Sequence, residues 1–233
     1  MPRLNVSPDL VNFWSLPFRI LVFSLASSSI WCLLAEFYGL CSMRTFTLFV
    51  SLPALLVLLV LALVDRIRGN RLLWRGVMMG AIAGLLAAVA YDAFRLPFVF
   101  ARPLGIESVV PPLPLFKVFP RFGAMILGQS IDQTDFSPAA HLLGWTYHFS
   151  NGLTFGIMYL AVVGVATKRH WAWAVVMAVG LELAMLFTPY PKVFGIHTTA
   201  TFVAVTLAAH LVFGVSLGLL TRRLWRAHTA GPI

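Results

Sequence analysis

From residue 45 to residue 64 the sequence reads TFTLFVSLPALLVLLVLALV, twenty residues without a charge. About 20 apolar residues in a helix cover the ~30 Å hydrocarbon core of a bilayer, and a helix satisfies its backbone polar groups internally, as a lipid environment requires. Other stretches of the chain read the same way. The predicted spans are 16–38, 45–64, 73–94, 142–166, 171–189 and 199–221, a pattern that excludes most soluble architectures.

The composition agrees with a bilayer as the main solvent. Of 233 residues, 60% are hydrophobic and 11% charged, whereas soluble domains carry about 25% charged and 45–50% apolar residues. About six spans with short connections use up the length, so no soluble domain fits beside them. The expected fold class is therefore all-α, a polytopic membrane helical bundle forming one integral membrane domain over 1–233. The net charge of +9 is accounted for by loop arginines that orient helices; no basic stretch interleaved with aromatics points to nucleic acid. Cys32 and Cys41 are too few for a disulfide framework or a thiolate metal cluster. Arg3, Asp9 and Arg19 accompany the start of the first apolar run, and no small-residue cleavage signal follows it, so it reads as a retained span.

The loops orient the bundle. Arg66, Arg68, Arg71 and Arg75 follow the second span, Lys168 and Arg169 follow the fourth, and Arg222, Arg223 and Arg226 follow the sixth. All fall on one side, which the positive-inside rule makes cytoplasmic; both termini are then inside, and 95–141 and 190–198 are outside. Trp14, Trp74, Trp145, Trp171 and Trp225 fall near span ends, as an interfacial belt requires. Within the outer segment, PLGIESVVPPLPLFKVFP is too rich in proline for a helix. The apolar RFGAMILGQSI at 121–131 is too short to cross, and is expected as a re-entrant or interface-lying helix, or as an apolar surface loop.

Two stretches, YHFSNGLTFGIMY from Tyr147 and HLVFGVSLG from His210, share the spacing HxxxGxxxG. Residues four apart lie on one helix face, so Gly144, His148, Gly152 and Gly156 form one stripe and His210, Gly214 and Gly218 another. Gly76, Gly80, Gly84, Ala88 and Asp92 form a third. Membrane helices associate by close packing, which small-residue stripes allow, so these stripes are expected to bring the third, fourth and sixth spans together. Each histidine shares its glycines' face and must then look at another helix. Asn151 lies beside His148, where it is expected to orient the ring, and Glu182 sits within the fifth span. Asp92 and Arg95, three apart, end the third span as a local ion pair at the mouth of a site. Ionisable groups inside a bilayer normally face partners or water. At ~1.5 Å per residue these groups fall in the outer half of the bundle, with Glu36 of the first span at a compatible depth. His141, His170, His197 and His228 read as solvated.

The paired HFSNGLTFGIMY and HLVFGVSLG, preceded by FGAMILG, resembles the YagU-like bacterial multi-pass inner-membrane family of unknown function. The likeness covers mainly residues 74–221. It implies a small helical protein of the bacterial inner membrane and brings no catalytic residues with it.

Three functional classes stay open on the sequence. One is a small transporter, channel or proton-handling protein in which Asp92, His148, Glu182 and His210 line a polar path from outside, although below His210 the sequence offers no second polar set. Another is a structural or accessory subunit whose glycine seams bind other membrane subunits or a second copy. The last is an intramembrane metal-dependent enzyme with His148, His210 and Glu182 or Asp92 as ligands, for which no HExxH or dense histidine box speaks. No cofactor is assigned, no reaction is favoured, and the bilayer is the one partner the sequence demands.

Overall fold

The computed structural model describes residues 12–229, all of whose regular elements are helical. Arg3 and Asp9 lie outside the described residues, as does the side chain of His228. The first apolar run is two helices, α1 (Leu16–Ala26) and α2 (Ser28–Phe37), bent by 45°. The bend has a chemical cause. Ser24 Oγ donates to the Ile20 carbonyl and Ser27 Oγ to the Ser24 carbonyl, each at 3.0 Å, and hydroxyls that bond back onto a helix loosen and bend it. The second run is one continuous helix from Met43 to Arg68. Its halves, α3 (Met43–Phe46) and α4 (Leu52–Arg68), join through a π-turn at Thr47–Ser51. Pro53 has no N–H to offer the Phe49 carbonyl, which accounts for a widened turn at this point.

The remaining helices are α5 (Leu72–Val99), α6 (Val118–Leu127), α7 (Pro138–Val163), α8 (Ala172–Leu186), α9 (Tyr190–Val193) and α10 (Ala200–Thr229). By length and composition three helices can cross a membrane, Met43–Arg68, Leu72–Val99 and Ala200–Ala227, and a fourth if the bent α1–α2 pair counts as one span. That is fewer than the six predicted. α7 has 26 residues, but Thr146, Tyr147, His148, Ser150 and Asn151 make its first half polar; α8 is apolar but has only 15 residues. Large apolar side chains remain exposed along the outward faces, among them Leu56, Leu59 and Leu63 of α4 and Leu85, Leu86 and Val89 of α5. Apolar surface this extensive suits contact with hydrocarbon.

α5 is central, packed between α7 and α10, with α8 beyond α10 and α1 and α6 against α7. Glycines set these approaches. A Cβ on Gly84 would lie 2.1 Å from the Gly152 carbonyl oxygen, and one on Gly156 would lie 2.0 Å from that of Gly80, so α5 and α7 touch backbone to backbone. The stripe on the sixth span is different from expectation: Gly214 and Gly218 press against Val175 and Trp171 of the α8 region, not against α5 or α7. Gly76 receives the Trp14 ring, and Gly144 receives the Phe119 carbonyl of α6. A stripe of small residues defines a face but not the helix that will meet it.

α6 starts at Val118, within the proline-rich stretch expected to be non-helical, because Pro120 falls in its first turn where a missing N–H costs nothing. It is neither a loop nor a peripheral helix. Phe119, Phe122, Gly123, Ala124 and Met125 are buried, and a Cβ on Gly123 would lie 1.7 Å from the Ala140 carbonyl oxygen of α7. At the opposite end of the bundle, the fully buried Asp65 accepts a 3.0 Å hydrogen bond from Trp74 N in the first turn of α5. There too Arg19 donates to the carbonyls of Ala161 and Val162, and Trp14 Nε1 to that of Gly164 at 3.0 Å, closing the C-terminus of α7.

Candidate functional site

The antiparallel α5–α7 seam runs from Gly80 against Gly156, through Gly84 against Gly152, and ends where Asp92, two turns further along α5, meets His148, one turn further along α7. The α8–α10 seam repeats the design. Gly218 lies on Trp171, Gly214 on Val175, and the next turn sets His210 opposite Glu182. Each HxxxGxxxG stretch thus does two things: its glycines draw two helices together, and its histidine is held against a carboxylate on the neighbour.

The two pairs are built differently. His148 Nε2 lies 2.8 Å from Asp92 Oδ2; because a carboxylate accepts, Nε2 carries the hydrogen. Asp92 Oδ1 accepts from Arg95 Nη1 at 3.2 Å, and Arg95 Nη2 donates to the Leu115 carbonyl at 2.5 Å. Asp92 and Arg95 are both buried, so they lie inside the bundle and not at the mouth of the site. The Arg95 guanidinium lies over the rings of Tyr91, Phe116 and Phe119 at 4.7, 5.0 and 5.4 Å, where a weakly hydrated planar cation is favourably held. Phe119 of α6 also stacks on the His148 ring with centroids 4.3 Å apart. His210 is looser. Its Nδ1 lies 2.9 Å from the Thr206 carbonyl and must donate, which leaves Nε2 facing Glu182 Oε2 at 3.6 Å, beyond direct hydrogen-bond distance.

Both pairs front one cavity of about 530 Å³, lined among others by Tyr91, Arg95, His148, Asn151, Glu182 and His210. A smaller pocket of about 140 Å³ shares Tyr91, His148, Asn151 and His210 and reaches deeper, to Phe155 and Phe213. The Tyr91 ring lies between the histidines, 6.0 Å from His148 and 5.0 Å from His210. The rim is formed by Lys117, Gly195, His197 and Thr199, all exposed, so the cavity opens at the end of the bundle that carries α6 and α9. Burial raises the Tyr190 phenol pKa, so this rim hydroxyl stays neutral.

Other residues fall outside the expected roles. Asn151 lines the cavity, but its Oδ1 is buried without a partner, and it is Asp92 that orients His148. Glu36 does not join the site; it accepts from Met43 N and caps α3. His141 and His170 are exposed. Phe119, Arg121 and Tyr190 were missed in the sequence, since nothing in a proline-rich connection tells which of its aromatics folds back over a histidine. Among the described residues no three His, Cys, Asp or Glu side chains are arranged to hold a metal ion; His148 and His210 each face a different carboxylate. Comparison with known proteins finds no matching family model, no matching curated relative and no matching solved structure.

Proposed function

We propose that the chain is a multi-pass inner-membrane protein of a bacterium, with six spans and both termini cytoplasmic, that handles protons at a solute-binding cavity open to the outer side. Loop arginines support the orientation, and α7 and α8 complete the six spans when their polar first half and short length are shielded by α5, α6 and α10. The likeness to YagU-like families adds the expectation of a small helical inner-membrane protein and nothing more specific.

One observation carries the functional reading: two histidine–carboxylate pairs face a single cavity on either side of Tyr91. A histidine gains or loses a proton between pH 5 and 8 in ordinary surroundings. Here His210 presents Nε2 toward the Glu182 carboxylate, so a proton arriving at the imidazole makes the two an ion pair. The groups facing it are Glu182 from α8, Tyr91 and Arg95 from α5, and His148 from α7. An open channel is disfavoured, because beyond the smaller pocket the two seams close backbone to backbone at Gly80, Gly84, Gly214 and Gly218. A carrier whose far side is closed in this conformation fits better.

The test uses liposomes holding a trapped pH-sensitive dye. Under an imposed pH gradient the wild-type protein is expected to dissipate the gradient faster than H210Q or H148Q at equal protein density. Equal rates for wild type and variants, or no dissipation by wild type, would remove the reading and leave the accessory-subunit alternative.

A further inference from the structure

We infer that the cavity binds an organic anion, a single carboxylate, phosphate or sulfonate carried on an apolar body; this rests on the cavity being a solute site, as proposed above.

The charge of the walls supports the sign. Arg95, Lys117 and Arg121 line the cavity, and two carboxylates, Glu182 in the wall and Asp92 behind His148, oppose them. Three fixed cations against two carboxylates leave one net positive charge, apart from the histidines. Asp92 is engaged by Arg95 and His148, and Glu182 faces His210 at 3.6 Å, whereas the cations keep donors to spare. Arg121 uses Nη1 on the Phe194 carbonyl at 2.8 Å, leaving the rest of a five-donor fork. Arg95 Nε is buried without a partner. The Asn151 amide is also short of one bond, and because its oxygen and nitrogen are interchangeable in a hydrogen-bond network it can turn its N–H toward an anion.

The rest of the wall supports the apolar body. Ile30 and Leu33 of α2, Phe122 of α6, Leu181 and Met185 of α8 and Phe202 of α10 face the same space. A volume of about 530 Å³ lies within the range of small-molecule sites, which are mostly apolar with a few placed polar groups. A cation would find Asp92 behind His148 and already bonded to Arg95, and only Glu182 in the wall against three fixed cations. A bare inorganic anion would leave the apolar walls uncovered.

The test compares probes that share one tail and differ only in head: octanesulfonate, octyltrimethylammonium and octanol, with inorganic phosphate as the tail-free anion. Binding is followed by thermal stabilisation of the full chain in a neutral detergent. Stabilisation is expected with octanesulfonate, and absent or weaker with the other three. K117Q and R121Q are exposed or half-buried changes, and each is expected to weaken octanesulfonate by about tenfold or more, the loss of one charge-assisted contact. Preference for octyltrimethylammonium, equal response to octanol, or octanesulfonate binding indifferent to both substitutions would overturn the anion site. Stabilisation by phosphate equal to octanesulfonate would overturn the apolar body. Because these readings need no gradient, anion binding without proton movement would defeat the proton-handling proposal alone, and proton movement with cation preference would defeat this inference alone.

Discussion

Gly84→Ala adds one methyl group at the point where α5 crosses α7. The new Cβ would lie 2.1 Å from the Gly152 carbonyl oxygen, while contacts under 3.0 Å are essentially never seen for real Cβ atoms. The seam must therefore open by about 0.9 Å at this level. Rotation offers little escape, because Gly152 C and Gly156 N also lie 3.0 Å from the new Cβ. Overpacking of this kind costs about 1–3 kcal/mol, which in a chain of this size lowers the melting temperature by about 2–12 °C. The effect reaches the site, because opening the seam strains the 2.8 Å His148–Asp92 bond further along the same two helices. Gly180→Ala in α8 is the matched control, since its Cβ would meet nothing within 4 Å and alanine is the better helix former by up to about 1 kcal/mol. Thermal unfolding in neutral detergent, followed by circular dichroism, should rank G84A below wild type and G180A at or above it. If G84A melts with G180A, the α5–α7 backbone contact is not what holds the bundle, and the account of the first HxxxGxxxG stretch fails with it.

Asp92→Ala leaves Arg95 buried without its counter-ion and is expected to cost about 3–5 kcal/mol; a double-mutant cycle should show stronger coupling for Asp92 with His148 than for Glu182 with His210, and equal couplings would contradict the geometry. Asp65→Ala removes the carboxylate that accepts from Trp74 N and should cost about 0.5–2 kcal/mol in the same melts, as for other N-terminal caps; an unchanged melting temperature would show that the first turn of α5 does not depend on it. With Cys32 and Cys41 replaced, single cysteines placed in 103–117 and in 69–71 should be labelled from opposite faces of a sealed vesicle, the first set from outside. Labelling of both sets from one face would refute the topology.

The helices were legible in the sequence to the extent that apolar length alone decides. The Met43–Arg68 and Leu72–Val99 helices contain the predicted 45–64 and 73–94 runs, and Ala200–Thr229 covers 199–221 from its second residue on, because apolar length outweighs the local widening at Pro53. The break at Ser27 was not legible: a hydroxyl bends a helix only if it bonds back to a carbonyl, and composition does not reveal that choice. The cavity stood out through the cost of its members, since Asp92, His148, Glu182 and His210 are hard to place in hydrocarbon unless they face one another. Their partners were harder to read. Spacing shows that His210, Gly214 and Gly218 share a face, but only the packed bundle shows that the face belongs to α8. Arg95 and Asp92 read as a mouth because they end an apolar run, yet α6 and the Leu115 carbonyl close over them. Glu36 lies at the right depth on the wrong side of α2, where a backbone N–H claims it.

The two pairs are not equivalent parts of one relay. The Asp92–His148 pair is held at 2.8 Å with Arg95 behind it, Phe119 stacked above it and a backbone-tight seam below, so a proton change there must be absorbed by a rigid surround. The Glu182–His210 pair has 3.6 Å between its atoms and only the Thr206 carbonyl to anchor the ring, which leaves room for a water or a ligand oxygen between them. An imidazolium at His210 would draw Glu182 in or capture an anion entering from the rim; an imidazolium at His148 would mainly reinforce a bond already made. Under the proposed proton-handling function, the fixed pair therefore shapes and charges the cavity, while the loose pair is where occupancy and protonation can change together.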